Sequence, residues 1–277
     1  MFCASAIGAD GSVAAIIARP GSSDVSVTVL ATSAPGVIAA GAWYYVETKI
    51  KVNNTTGVLD IKVNGTTRVS FSGDTCQSVA SGTSGGAAAT ASLNEYFTHI
   101  KLGGLAVYNT EATVYFDDWY YCNDTGSLNN TYLGDVQLQA IYPDGAGATT
   151  QWIIGGTAPA ATNWQSVNET SPDDDVTYVY ESTVNDIDLY TMQDVSATAA
   201  TIKGLLCNAR VKKDDATVRE YALLVRSGVT TGELATRTTP YGSYTNQQDV
   251  SELNPATTAQ WTVSEVNGMQ AGIKIKT

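Results

Sequence analysis

Apolar and polar residues alternate through residues 43–65, which read WYYVETKIKVNNTTGVLDIKVNG. Such a period of two is typical of a half-buried β-strand. The alternation runs twice and is interrupted by Asn-Asn-Thr-Thr-Gly, residue types that favour turns. The polar face of the first strand carries Trp43, Tyr45, Glu47, Lys49 and Lys51. The pattern predicts a β-hairpin, and the Asn-Gly dipeptide at residues 64–65 predicts a tight type I′ turn into a third strand.

Short runs of strand character recur through the rest of the first half, at residues 13–19, 25–31, 68–73, 96–104 and 113–122. Residues 74–92 are small and polar, which indicates a surface loop or a poorly ordered one. Residues 123–135, NDTGSLNNTYLGD, combine Asn, Gly, Asp and Ser without apolar periodicity. We therefore place a domain boundary in this stretch, which gives domains 1–125 and 126–277.

The second half continues in the same manner, with strands predicted at residues 135–142, 177–182, 188–192, 202–211, 219–227, 243–250 and 271–276. Residues 143–147, Pro-Asp-Gly-Ala-Gly, predict a turn. The charged residues 212–215 are interpreted as the turn that closes a hairpin over residues 201–227, and residues 264–269 as a helical turn. Strands that follow one another without intervening helices are antiparallel. The chain is therefore expected to be all-β, with two antiparallel, jelly-roll-like β-sandwich domains.

Composition supports this class and excludes others. The chain has 277 residues, of which 43% are apolar and 15% charged, so it has enough apolar residues to bury a core. The net charge of −12 argues against a nucleic-acid partner, because phosphates require a basic surface. The sequence has no apolar run long enough for a membrane span and no evident signal peptide.

The cysteines and the single histidine indicate no catalytic or zinc site. The spacing of Cys3, Cys76, Cys122 and Cys207 matches no zinc motif. Cys122 and Cys207 lie in apolar runs and are expected to be buried free thiols. A Cys3–Cys122 disulfide is the alternative if the terminal strands pair. The only histidine is His99, and the sequence contains no Gly-x-Ser-x-Gly motif that would supply a nucleophile for it. We expect no catalytic residues and no enzymatic activity.

Two acidic groups are candidate cation sites. Asp117 and Asp118 lie in the predicted strand 113–122, between aromatic residues on both faces, so one carboxylate is expected to be buried. A buried carboxylate needs a cation or hydrogen-bond donors, and calcium and loop N–H groups are the two interpretations. The triple acid at residues 173–175 lacks the spacing of an EF-hand, which favours a solvated turn over a cation site.

The polar face of the first hairpin is the candidate ligand or partner face. Trp43 and Tyr45 share it with Glu47. Aromatic rings on an open sheet stack on sugar rings, and Trp and Tyr also carry a polar group. Coverage by the loop at residues 74–92, or burial in a subunit interface, is the alternative.

One segment carries a family resemblance. The sequence GAWYYVETKIKVNNTTGVLDIKVNGTTRVSFSG resembles the central strands of concanavalin A-like, laminin-G-type jelly rolls, and VYFDDWYYC is similar to that family's closing strand. The resemblance implies a concanavalin A-like first domain, and calcium at Asp117 and Asp118 as in many lectin-like relatives. Hydrolases of this fold carry a Glu-x-Asp-x-x-Glu strand, and the sequence contains no such spacing.

The chain also resembles tailed-phage virion proteins that place such a domain before a second β-rich one. The segments that carry this resemblance are NNTYLGDVQLQAIYPDGAG, SPDDDVTYVYESTVNDIDLYTM, NARVKKDDATVREYALLVRSG and AQWTVSEVNGMQAGIKI. It implies a non-enzymatic head decoration or tail appendage component, assembled in the bacterial cytoplasm with other virion proteins and copies of itself. The alternative is a lectin-like module that binds host surface glycans.

The resemblance also implies strands that the sequence does not show. Jelly rolls of the family have more strands than we find before residue 125, so N-terminal strands are expected to be missing. The chain is then a truncated or rearranged member, or another chain supplies the strands. Unpaired sheet edges must be covered. We therefore expect tight contact with a neighbouring subunit.

Overall fold

A computed structural model describes residues 2–20, 25–53, 55–75, 113–196 and 201–277, without the side chains of residues 2–6, 18–20 and 25–27. The described chain is all-β and its sheets are antiparallel. It forms two compact units that divide between Leu138 and Gln139, later than the domain boundary predicted at residue 125. We call them unit 1 and unit 2.

The described residues of unit 1 form two three-stranded sheets. The first has the order β1-β2-β3, with strands Phe2–Ile7, Val13–Pro20 and Val25–Thr32. The second has the order β4-β5-β6, with strands Val46–Lys51, Gly57–Val63 and Thr66–Gly73. The apolar alternation buries one face of each sheet in a shared core, composed of Val13, Ala15, Leu59, Ile61, Val63 and Val69. Burial of these aliphatic side chains stabilises the packing of the two sheets.

The hairpin predicted at residues 43–65 is confirmed. Strand β4 pairs antiparallel with β5, from Val46 opposite Val63 to Lys51 opposite Val58. The predicted type I′ turn is also present, because Asn64 and Gly65 have φ angles of 49° and 75°.

Unit 2 is built on a five-stranded antiparallel sheet with the order β13-β12-β15-β10-β7. Two smaller sheets pair β8 with β9 and β11 with β14. The strands are β7 Pro143–Thr150, β8 Ile153–Gly155, β9 Tyr178–Tyr180, β10 Ile187–Met192, β11 Leu205–Val211, β12 Glu220–Ser227, β13 Thr230–Thr238, β14 Thr245–Ser251 and β15 Gln270–Ile275. The short helix α1, Val263–Asn267, confirms the predicted helical turn and begins with a capping box between Thr262 and Glu265.

The strand predicted at residues 113–122 is not formed. Asp118 has a φ of 50°, in the left-handed region that breaks an extended strand. The carboxylate of Asp117 accepts a hydrogen bond from the N–H of Asp118, a local bond that favours a turn over pairing with a neighbouring strand. The aromatic residues of this segment therefore do not alternate between a core face and an outer face.

The turn predicted at residues 143–147 is instead the start of β7, and the strand predicted at residues 135–142 is absent. Small residues in β7 serve close packing. A Cβ on Gly147 would lie 2.5 Å from the backbone carbonyl of Leu189 on β10. Glycine in a strand commonly marks such close backbone approach.

The hairpin predicted over residues 201–227 is wrong in its pairing. Strand β11 pairs with β14, while β12 pairs with β13 and β15. The tight reversal is at Gly228, whose φ of 57° suits the two-residue turn between β12 and β13. The charged residues 212–215 instead connect two sheets, and Lys213 exchanges backbone hydrogen bonds with Pro240 and Gly242.

Candidate functional site

Glu47 lies on the polar face of the β4–β5 hairpin but is buried, with 6% of its surface exposed. Its Oε1 accepts hydrogen bonds from the Tyr120 hydroxyl at 2.5 Å and from the Gly134 N–H at 2.9 Å. Tyr120 in turn accepts the Leu133 N–H at 3.3 Å. Burial, followed by the bond to Glu47, raises the pKa of Tyr120 well above its ordinary value. These contacts hold residues 120–134 over the hairpin and leave Glu47 buried away from solvent.

Lys62, the cross-strand neighbour of Glu47, interacts with the same covering segment. Its ammonium nitrogen lies 3.7 Å from the centroid of the Tyr132 ring, a cation–π contact. Burial, with smaller contributions from Asp60 and Glu47, raises the pKa of Tyr132 to about 12. The predicted partner face is therefore covered, at Glu47, by residues 120–134 of the chain.

Trp43 and Tyr45 differ from Glu47 in exposure. Trp43 precedes strand β4 and is 70% exposed. Tyr45 is half-buried, and its N–H and C=O both bond to Asn64 at the hairpin turn. Of the three residues predicted to form the face, Trp43 is the one best placed to contact a ligand or partner.

Several exposed apolar side chains of unit 1 lie close together in sequence, at residues 114–121. Its large exposed side chains are Val114, Tyr115, Phe116, Trp119 and Tyr121, and we call this the aromatic segment. Tyr115 and Tyr121 are 75% and 73% exposed, and the Trp119 and Tyr121 rings are 5.7 Å apart. Contiguous exposed apolar groups of this kind mark interaction surfaces.

Asp117 and Asp118 are bonded to the backbone. Asp118 Oδ1 accepts the Leu138 N–H at 2.8 Å, and Asp117 Oδ1 accepts the Asp118 N–H. Asp117 is exposed and Asp118 half-buried. Calcium requires six to eight oxygen ligands. No group of three or more His, Cys, Asp or Glu residues in the described part of the chain is arranged to hold a metal ion, so calcium at these residues stays a prediction.

The triple acid of unit 2 is bonded to basic residues. Asp174 accepts two hydrogen bonds from the Arg210 guanidinium, and Asp175 bonds to Lys212 and to the Tyr244 hydroxyl. The ammonium of Lys212 also lies 4.4 Å from the centroid of the Tyr244 ring. The acidic turn is therefore solvent-exposed, as expected, and its Asp174 and Asp175 also form surface ion pairs with Arg210 of β11 and the adjacent Lys212.

Asp188 is a buried charge that sequence reasoning missed. It is fully buried on β10, where Oδ1 accepts the Gln151 N–H at 3.1 Å. Its Oδ2 accepts the Asn163 side-chain amide at 2.8 Å and the Tyr190 hydroxyl at 2.7 Å. Asp188 and Tyr190 are two residues apart on one strand and so share a face. The spacing of two residues could have indicated that Asp188 and Tyr190 are neighbours. Nothing in the sequence indicates that Asn163 joins them.

The pKa values of Asp188 and of the pair Asp174 and Asp175 are shifted in opposite directions. Burial raises the pKa of Asp188, whereas hydrogen bonds from Arg210 and Lys212 lower the pKa values of Asp174 and Asp175. The stability contributed by Asp174 and Asp175 is present above the ordinary carboxyl pKa and is lost as the pH falls through their lowered values. The contribution of Asp188 is present below its ordinary pKa and is lost as the pH rises through its raised value. An NMR titration of the carboxyl carbons measures all three, and the reverse order would contradict the structure.

The two described cysteines differ from the prediction in part. Cys207, expected to be a buried thiol, lies half-buried in β11, and burial followed by the charge of Asp249 raises its pKa to about 11. Cys122 is exposed, outside any strand, with its Sγ 3.4 Å from the Thr131 carbonyl. The expectation that Cys122 is buried is wrong, because the strand that was to bury it is not formed. Cys76, His99 and the Cys3 side chain lie outside the described residues.

Cys207 is expected to be protected from alkylation. At pH 8 a thiol of this pKa is a thiolate in roughly one molecule in a thousand, and the thiolate is the reactive form. Iodoacetamide labelling of the native protein, followed by peptide mass spectrometry, should leave Cys207 unmodified. The same labelling in denaturant should modify it promptly. Equal rates in the two conditions would contradict the burial.

Comparison of the chain with protein-family models, curated proteins and solved structures gave no match. The class is therefore given by the fold itself, an all-β protein of two compact units. Within the described residues, none of the helices has the length and apolar character needed to span a bilayer.

Proposed function

We propose that the chain is a non-enzymatic structural protein of a tailed-phage virion, a head decoration or tail appendage component. The proposal includes a concanavalin A-like first domain, a second jelly-roll-like domain and assembly in the bacterial cytoplasm. It rests on the sequence resemblance to such virion proteins and is compatible with the all-β fold. Because one fold class hosts many functions, the proposal also depends on which side chains are exposed at the surface.

The observation that carries the proposal is the exposure of the aromatic segment. Subunit interfaces are enriched in Tyr, Trp and Phe and depleted of charge at their centres. Tyr115, Phe116, Trp119 and Tyr121 combine these aromatic types within seven residues of unit 1 and are exposed in the single chain. Such side chains become buried when the chain contacts copies of itself or other virion proteins.

Replacing both Tyr115 and Phe116 with Ser is expected to weaken assembly. Loss of two aromatic contacts at an interface commonly costs about 2 kcal/mol or more of binding free energy, which is roughly thirtyfold in the dissociation constant. The measurement is incorporation of the labelled chain into particles purified on a density gradient. Val229→Ser is the matched control, because Val229 is 87% exposed at the β12–β13 turn. Equal incorporation of both variants would contradict a role for the aromatic segment.

The second candidate function is recognition of host surface glycans, and the exposure of Trp43 favours it. A single exposed Trp offers a flat apolar face for a sugar ring. A glycan array separates the two candidates. Binding that Trp43→Ala abolishes would favour the lectin, with chelation of calcium as a further test of Asp117 and Asp118. Absence of any glycan signal that depends on Trp43, together with incorporation into particles, would favour the structural protein.

A further inference from the structure

Unit 2 contains a half-open cleft of about 240 Å³ beside strand β7. Its floor is formed by residues of β7 and β10, and its wall by Ile154 and the segment that leads into a short 3₁₀ helix, Trp164–Ser166. The lining residues are Ala146, Thr150, Ile154, Ala161, Thr162, Asn163, Trp164 and Tyr190. Pockets for drug-sized ligands start at about 300 Å³, so this cleft accommodates a single ring.

The buried Asp188 fixes the polar groups of the cleft. Asn163 donates both amide hydrogens away from solvent, one to Asp188 and one to the Trp152 carbonyl at 2.7 Å. Tyr190 donates its hydroxyl to the same carboxylate. Within the described residues, the Asn163 side-chain oxygen and the Trp164 indole N–H make no hydrogen bond, so an acceptor and a donor remain available at the cleft wall.

Burying a carboxylate costs free energy that a purely apolar packing of the same volume avoids. A buried acid that orients two side chains lining a cleft marks a candidate binding site. Burial also raises the pKa of Asp188, in agreement with a group held out of water beside such a site.

We propose that this cleft binds one neutral sugar ring, stacked against the face of the Trp164 indole, with the side-chain oxygen of Asn163 as its hydrogen-bonding partner. The aromatic and aliphatic walls suit the C–H face of a pyranose, and the side-chain oxygen of Asn163, held in place by its two amide hydrogen bonds, suits a sugar hydroxyl group. None of the described residues that line the cleft is charged, and the net negative charge of the chain disfavours anionic ligands. All residues of the site lie in unit 2, so the proposal is independent of the proposed function and of Trp43.

The test is an NMR titration of the isotope-labelled full chain with glucose, galactose, mannose and N-acetylglucosamine at millimolar concentrations. At least one sugar should produce saturable shifts of the Asn163 side-chain amide and the Trp164 indole N–H. A parallel glycan array distinguishes a free monosaccharide from the terminal residue of a longer glycan. In the first case the monosaccharide alone saturates the site, and in the second an oligosaccharide binds at least about tenfold more tightly.

Two variants locate the binding. Trp164→Ala should weaken the sugar about tenfold or more, since loss of aromatic stacking is a large part of such affinity. Ala146→Phe, at an exposed position of β7, should block the cleft without disturbing the core. Trp43→Ala is the matched control and should leave the affinity within about twofold. The proposal is overturned if no sugar shifts these resonances, if binding survives both cleft variants, or if only an apolar ring such as p-cresol occupies the site.

Discussion

Replacing Gly272 with Ala is expected to lower the free energy of unfolding of unit 2 by about 3 kcal/mol, the upper end of what overpacking costs. Gly272 lies on β15, between β10 and β12 in the centre of the five-stranded sheet. A Cβ there would lie 1.9 Å from the Asp188 carbonyl oxygen and 3.0 Å from the Leu189 Cα. Because both are backbone atoms in a paired strand, neither can move aside without breaking the sheet.

Gly204→Ala is the matched control for this substitution. A Cβ on Gly204 would meet its nearest neighbour, the Ser251 carbonyl oxygen, at an ordinary 3.5 Å. Urea unfolding followed by the NMR signals of β12 measures both variants. We expect the midpoint to fall for Gly272→Ala and to change little for Gly204→Ala. Similar midpoints for the two variants would show that β15 does not approach β10 as closely as described.

Removal of the Glu47 side chain is the second large effect that we expect. Glu47→Ala deletes two hydrogen bonds to a charged acceptor and leaves the Tyr120 hydroxyl and the Gly134 N–H without their partner. The expected loss is about 3 kcal/mol of unfolding free energy in unit 1, because hydrogen bonds to charged groups contribute about 1.5–3 kcal/mol each. Residues 120–134 should also become accessible, which hydrogen exchange of the Gly134 amide reports.

Glu47→Gln retains an oxygen acceptor of the same shape and should cost about 1 kcal/mol, the difference between a charged and a neutral acceptor. Tyr120→Phe removes one of the two bonds and should fall between the other variants. If Glu47→Gln were as destabilising as Glu47→Ala, the charge itself would matter more than the two hydrogen bonds.

The elements that could be predicted from the sequence are those whose pattern reflects local burial. The alternation around β4 and β5 gave the hairpin, because every second residue of β5, from Gly57 to Val63, lies in the core. The continuous apolar run in β12 gave a strand, since residues 221–225 are all buried. Asn64-Gly65 gave the turn, because that pair tolerates positive φ at both positions.

The errors share a physical cause, which is that the deciding contact is remote in sequence. Strand β7 resembles a turn in sequence because Gly147 is required by the close backbone of β10, and Gly145 lies against the Thr191 side chain on the same strand. Strand β11 finds its partner in β14, beyond β12 and β13, and no local signal encodes that choice. At residues 113–122 the opposite holds, since a local bond at Asp118 overrides an apparently extended pattern.

At the candidate sites too, features set by local pattern could be predicted and features set by remote contacts could not. Trp43 could be recognised as an exposed aromatic from the hairpin pattern, and it is exposed. The burial of Glu47 could not, because the Tyr120 and Gly134 that cover it lie 73 and 87 residues away. The Asp188 cluster also depends on Asn163, which is contributed by a loop outside any strand.

The central claim is that this chain is a structural subunit that functions in an assembly. The most direct measurement is the mass of the purified full chain by sedimentation equilibrium at micromolar concentrations, repeated for the double substitution of Tyr115 and Phe116 with Ser. We predict a defined oligomer for the unaltered chain and a shift towards monomer for the variant. A stable monomer for the unaltered chain across this concentration range would contradict the account.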